Sequence, residues 1–295
     1  MFARVITQRK KLLVVFWALL AKGVFAQPSP SSTRETVPAQ IVEVPNGTLH
    51  LKAYFWKPAG TGPFPAVLFN HGSGGADAQH TAGLSMAETA ALLAPIFLRH
   101  GYVFLYLCRR GQGLSADQGP FAQDLLKRAE AKSMEARNQL HYELVTGVQL
   151  DDALAGLAFL KTMAGVDPKR IAIVGHSFGG VLTLLSGDHD PTIRAEVTFA
   201  AGANSWRLSQ PLRGRILASV NKTSAPIMLL HAINDYDTTP GREIAAELER
   251  LHKPHLLKIY PAVGTTSDDG HNFLYFAIPK WETDVFQFLD ANVKN

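Results

Sequence analysis

The 295-residue chain contains a single cysteine, Cys108, so it can form no internal disulfide in any redox compartment. Its place inside an apolar run predicts a buried small hydrophobe. No internal repeat is present, which excludes solenoid and propeller arrays. No spacing of His, Asp, Glu or Cys has the pattern of a metal site, so neither a metal nor any other cofactor is expected. An excess of positive charge is also missing once its source is located. The chain carries +4 overall, but residues 1–26 hold five basic and no acidic residues, so −1 remains for the rest. That balance excludes nucleic acid as an expected partner.

The first 26 residues are set apart by composition. Arg4, Arg9, Lys10 and Lys11 precede a ten-residue apolar run, Leu12 to Ala21, which is short for a membrane span and has the length of a signal-peptide core. Val24 and Ala26 stand where the small residues of a cleavage site are expected. Residues 1–26 are therefore read as a signal peptide and the protein as exported, periplasmic or secreted, with no membrane contact after cleavage. Lys22 interrupts the neutral stretch and leaves an uncleaved anchor as the alternative; no cysteine follows the site to take a lipid. Residues 27–40, rich in Pro, Ser and Thr, read as a flexible linker. Residues 41–295, about 255 in number, suit one α/β domain.

Within that domain, Ile41–Pro45 and Thr48–Trp56 form a predicted hairpin about a turn at Asn46-Gly47. Six short continuous apolar runs follow: 66–69, 102–107, 171–174, 195–199, 227–230 and 256–260. Such runs suit strands buried on both faces, and the helical stretches between them supply the crossovers of a parallel sheet. Leu150, Ala153, Leu154, Leu157 and Leu160 mark one crossover helix; Ile244, Leu248 and Leu251 mark another. The stretch 121–142 is charged and helix-prone, and two readings stay open for it, a small helical cap over the active-site face or a surface extension of the crossover.

The chemistry centres on Gly175-His-Ser177-Phe-Gly179, preceded by the apolar strand from Ile171 and followed by a helix-compatible stretch. A serine hydroxyl is a weak nucleophile unless a strained turn presents it beside a base, and small residues at 175 and 179 permit that turn. Upstream, the apolar run from Val67 leads into Asn70-His71-Gly72-Ser73-Gly74-Gly75. The Ser73 and Phe178 N–H groups are the candidates for an oxyanion hole. His71 reads as a brace of its loop. The acid should follow a later strand, where Asp235 is preferred; Asp237 is the alternative, but it lies where a cap for the helix beginning at Pro240 is expected. Of the eleven histidines, His271 alone combines a place after the last strand with a loop that can return over the sheet edge. Arg110, with its neighbour Arg109, and Trp206 are candidate pocket residues.

The nucleophile turn, Asn234-Asp-Tyr-Asp-Thr-Thr-Pro240 and Gly270-His-Asn-Phe273 together resemble the dienelactone-hydrolase-like branch of the α/β hydrolases, which is similar to the catalytic domains of prolyl-oligopeptidase-type enzymes. Asp151-Asp-Ala-Leu-Ala155 and Val166-Asp-Pro-Lys-Arg-Ile171 add to the likeness, which covers roughly residues 41–292. It implies an α/β-hydrolase fold: a mostly parallel central sheet with helices on both faces and an antiparallel N-terminal edge. It also implies the triad order Ser177, Asp235, His271. Dienelactone hydrolases use a cysteine nucleophile where this chain has Ser177, so lactone specificity does not carry over. The peptidase relatives carry a propeller for which this chain has no room. The 25 residues between Ala200 and Pro226 leave out the large cap some α/β hydrolases insert there.

The expected activity is hydrolysis of a small-molecule carboxylic ester through an acyl-enzyme. A serine peptidase of the prolyl-oligopeptidase type and a non-catalytic binding protein on the same fold are the alternatives. Oligomeric state is not legible.

Overall fold

A computed structural model of the protein describes residues 38–74 and 83–294. The signal peptide and all but the last three residues of the linker lie outside the described residues, as does Gly75.

Eight strands form one sheet: β1 (Gln40–Asn46), β2 (Leu49–Trp56), β3 (Phe64–Asn70), β4 (Val103–Cys108), β5 (Val166–His176), β6 (Ile193–Phe199), β7 (Ile227–Ala232) and β8 (His255–Tyr260). Their order is β1-β2-β4-β3-β5-β6-β7-β8. β1–β2 and β2–β4 pair antiparallel, and every pair from β4 to β8 is parallel. The hairpin turn sits one residue later than its sequence suggested. Asn46 pairs with Leu49, and Gly47, at φ 61°, and Thr48 make the turn, because Gly47 takes the positive φ of the first turn position.

The helices are α1 (Met86–Arg99), α2 (Ala122–Glu130), α3 (Met134–Thr146), α4 (Val148–Thr162), α5 (Phe178–Ser186), α6 (Gln210–Lys222), α7 (Thr239–Arg250), α8 (Ser267–His271), α9 (Phe273–Phe276) and α10 (Ile278–Leu289). α1 and α10 pack on one face of the sheet with Val67, Phe69, Phe104 and Val197. α4 covers the other with Leu68, Leu105 and Ile173, and α5, α6 and α7 extend that layer. Alternate residues of each central strand thus meet a helix layer on either side, which explains why their sequence reads as unbroken apolar runs. The 121–142 stretch becomes α2 and most of α3, which pack on each other, and α3 runs into α4 at Gly147.

The chain enters the parallel sheet at β3, steps to β4, then crosses back to place β5 on the other side of β3. The carboxyl ends of β3 and β5 therefore diverge side by side, and a crevice opens at such a reversal in strand order.

Candidate active site

Ser177 follows β5 at φ 54°, ψ −116°, a conformation that costs an L-residue about 1–3 kcal/mol. Close packing of glycine backbone forces it. A Cβ at Gly179 would lie 2.0 Å from the Asn70 carbonyl oxygen, and one at Gly175 would lie 2.3 Å from that of Gly179. β5, β3 and the start of α5 are thereby drawn together. A serine at the N-cap of a helix ordinarily hydrogen-bonds the first-turn N–H groups. Ser177 makes no such bond. Its hydroxyl instead meets His271 Nε2 at 2.8 Å, so the first N–H groups of α5 stay directed at the space above the serine.

His271 closes α8, a five-residue turn of helix where a loop was expected. A reciprocal cap explains it. The Thr266 hydroxyl accepts from Asp269 N–H, and Asp269 Oδ2 accepts from the N–H groups of Thr265 and Thr266, each at 2.9 Å. His271 Nδ1–H donates to Asp235 Oδ1 at 2.7 Å. The second oxygen, Oδ2, accepts from His231 Nδ1–H at 2.7 Å, and Tyr236 N–H also donates to Oδ1. Burial pushes the Asp235 carboxyl up, but the hydrogen bonds from His231 and His271 outweigh it and leave it below the usual range. His231 is itself buried at the end of β7. Sequence analysis did not single it out; its spacing, four residues before Asp235, was the available signal.

Asp237 stands elsewhere. Its Oδ1 accepts from Thr239 N–H at 2.9 Å and its carboxylate pairs with Arg207. It thus braces the first turn of α7, in which Thr238 is the N-cap and Pro240 follows one residue later than expected.

The 71–74 segment is held by Arg109, which is 1% exposed. Its Nη1 donates to the His71 carbonyl at 2.8 Å, Nη2 to the Gly72 carbonyl at 2.9 Å and Nε to Gln149 at 2.9 Å. The same guanidinium stacks 5.2 Å from the centre of the Phe178 ring. Burial brings Arg109 down to about 10, so it stays charged at neutral pH. His71 donates from Nδ1 to Gly72 O. Burial and Arg109 hold that imidazole well below its ordinary value, so it is a neutral brace of the loop. His176 reaches from within the turn to the His271 carbonyl at 2.9 Å, and burial lowers it to about 3.

Ser73 and Phe178 both line a cavity of about 50 Å³ beside Ser177, walled by His141 and Val145 of α3 and by Val181. On the His271 side a wider cavity of about 410 Å³ is bordered by Asn204, Tyr236, Asp268 and Asn272. A larger groove of about 770 Å³ between α3 and the start of α6 is lined by no histidine, and its two serines, Ser133 and Ser209, cap α3 and α6. Two of the candidate pocket residues are not brought to the site at Ser177. Arg110 is drawn to Asp152, donating from Nη2 at 2.6 Å and from its own backbone N–H at 2.9 Å, because that carboxylate is buried in α4 and needs a cation. Trp206 is buried behind the cavity with its indole N–H on Glu243; the turn 202–205 supplies the wall instead. His141, which burial holds at about 4, was not foreseen, since only the approach of α3 to Phe178 gives it a place. Among the described residues no group of three or more His, Cys, Asp or Glu side chains could hold a metal ion.

The sheet order and the strand-turn-helix at Ser177 define an α/β-hydrolase fold. The sequence pattern of the Dienelactone hydrolase family matches residues 51–274, and the chain belongs to that family of hydrolases. It is 32% identical over 161 residues to YtaP of Bacillus subtilis (strain 168), named only as a hydrolase, a match covering 53% of this chain and 50% of the relative. The chain thus spans about half the length of this curated relative. Its fold is similar to that of Pyrococcus horikoshii acylaminoacyl peptidase, at TM-score 0.64 and 17% identity, over 89% of this chain and 43% of that one. It is also similar to Est1E of Butyrivibrio proteoclasticus, solved with ferulic acid bound, at TM-score 0.61 and 17% identity, over 86% of this chain and 100% of that one.

Proposed function

We propose that the protein is a serine hydrolase of carboxylic esters, with Ser177 as nucleophile, His271 as general base and acid, and Asp235 orienting His271. The observation that carries this reading is the unbroken hydrogen-bond chain from Ser177 Oγ through His271 to Asp235. His271 takes the hydroxyl proton as Ser177 Oγ bonds to the ester carbonyl carbon, and returns it to the departing alkoxide; water then repeats the cycle to release the acid. The N–H groups of Ser73 and Phe178 hold the oxyanion. An alkoxide leaves with less help than an amine does. Esters are therefore expected to exceed matched anilides in kcat/KM by at least roughly 100-fold, about 2.7 kcal/mol of transition-state stabilisation.

Ser177→Ala tests the reading. It should fold normally and lose essentially all turnover; retention of more than about a hundredth of the wild-type rate sinks it. Preference for the anilide would move the protein to the peptidase branch. Export is proposed with it: protein recovered outside the cytoplasm should begin at Gln27 by mass spectrometry, and a retained Met1 would mean an anchor.

A further inference from the structure

The two spaces beside Ser177 differ in size and in chemistry, and the direction of proton transfer decides which part of an ester each receives. The alcohol oxygen must take its proton from His271 Nε2, so the alcohol lies on the His271 side. The acyl group then extends away from the imidazole, into the narrow cavity beneath α3. At about 50 Å³ this space holds about three or four water-sized groups. Its floor and walls are rigid, because Val181 and Phe178 are buried in α5 and the 202–205 turn is hydrogen-bonded on itself through Ser205 N–H to Gly202 O. Val145 is fully buried, and His141 packs edge-on against Phe178.

The alcohol side is built for hydrogen-bond donors. It is bordered by Asn204, Tyr236, Asp268 and Asn272, whose side chains all carry hydrogen-bonding groups. The Asp268 carboxylate, which already accepts from the Tyr236 hydroxyl, has acceptor capacity left. A hydroxyl-bearing alcohol can pair with these groups, whereas an aliphatic one displaces the water on them without replacing its hydrogen bonds. Among the described residues lining this space no Lys or Arg is present to meet a substrate carboxylate.

We propose that the substrates are short-chain esters, acetyl to butyryl, of a polyhydroxylated, uncharged alcohol such as a sugar. This rests on the serine-hydrolase reading above. The bond from Ser177 Oγ to the acyl carbon forms as the bond from that carbon to the sugar oxygen breaks. One water supplies the hydroxyl of the released acid and restores the serine proton.

The experiment compares kcat/KM for p-nitrophenyl acetate, butyrate and octanoate, and for 6-O-acetylglucose against hexyl acetate, alongside labelling by a serine-directed fluorophosphonate. Butyrate should exceed octanoate at least roughly tenfold, and acetylglucose should exceed hexyl acetate by a similar factor. Val145→Ala should raise the octanoate-to-acetate ratio, and Asp268→Leu should reduce the preference for the sugar ester. Octanoate turned over as well as butyrate, or hexyl acetate preferred, overturns the proposal while labelling at Ser177 leaves the hydrolase reading intact. Absence of both labelling and ester turnover removes the two together.

Discussion

The carboxylate of Asp235 serves two histidines, and that sharing sets its contrast with Asp237 two residues on. Asp235→Asn puts an amide where His271 and His231 both donate, so the imidazole loses its orientation. The expected result is a fall in kcat of at least roughly 10²-fold with little change in Tm. Asp237→Asn keeps turnover and costs about 0.5–2 kcal/mol through the first turn of α7. Kinetics and thermal melts on both variants check this, and the reverse pattern would transfer the role to Asp237. His231 acts through Asp235 and not on a substrate. His231→Phe should therefore lower kcat about tenfold with KM nearly unchanged, because a carboxylate with one tether left aims Oδ1 at His271 less often. A variant that loses stability but keeps kcat well below its Tm would reduce His231 to packing. At this scale the three residues that the structure joins by hydrogen bonds, Ser177, Asp235 and His271, were readable, since they follow β5, β7 and β8 in a set order along the chain. The roles of His231, His141 and Arg109 were not, because each depends on a partner brought close only by folding.

Arg109 links elements that the sequence keeps far apart. From the end of β4 it holds two carbonyls of the loop after β3 and covers the ring of the first residue of α5, so both proposed oxyanion donors are braced by one guanidinium. Arg109→Met keeps the length of the side chain but removes its bonds to the His71 and Gly72 carbonyls, of which Gly72 O keeps the bond from His71 Nδ1–H. We expect kcat to fall about 10- to 100-fold at temperatures well below Tm, with a smaller change in KM, since the removal of one oxyanion donor costs about 10²–10³. Unchanged kcat in a folded variant would show that the loop holds its shape alone. All eight strands were legible, the first two from the hairpin turn at Asn46-Gly47 and the other six as uninterrupted apolar runs. The junction of α3 with α4 was less so. Its register is set by Gly147, where a Cβ would lie 2.8 Å from the Glu143 carbonyl oxygen, a contact that composition does not announce.

The stability of the whole molecule carries a pH dependence rooted far from Ser177. Glu196 on β6 is fully buried, with one oxygen on the Thr223 hydroxyl at 2.7 Å and the other without a partner among the described residues. Burial pushes its carboxyl up to about 8. An unfolded chain releases that proton near pH 4.3 whereas the folded one keeps it, so the native state binds more protons between these values. Stability should fall as pH rises from about 4.3 to about 8. Glu196→Gln imitates the protonated form and should flatten this slope, raising Tm relative to wild type by more at pH 8 than at pH 5. Equal differences at the two values would show that Glu196 is ionised in the fold.

Cys108 lies fully buried at the end of β4, and burial pushes its thiol up to about 12. A thiol reagent at neutral pH should therefore find nothing to react with in the native protein and one equivalent after denaturation. A single cysteine introduced on the surface, at Leu208 for instance, would then be the sole labelling point in the chain. A fluorophore or spin label placed there beside α3 could report on acyl-group entry without first removing any native residue.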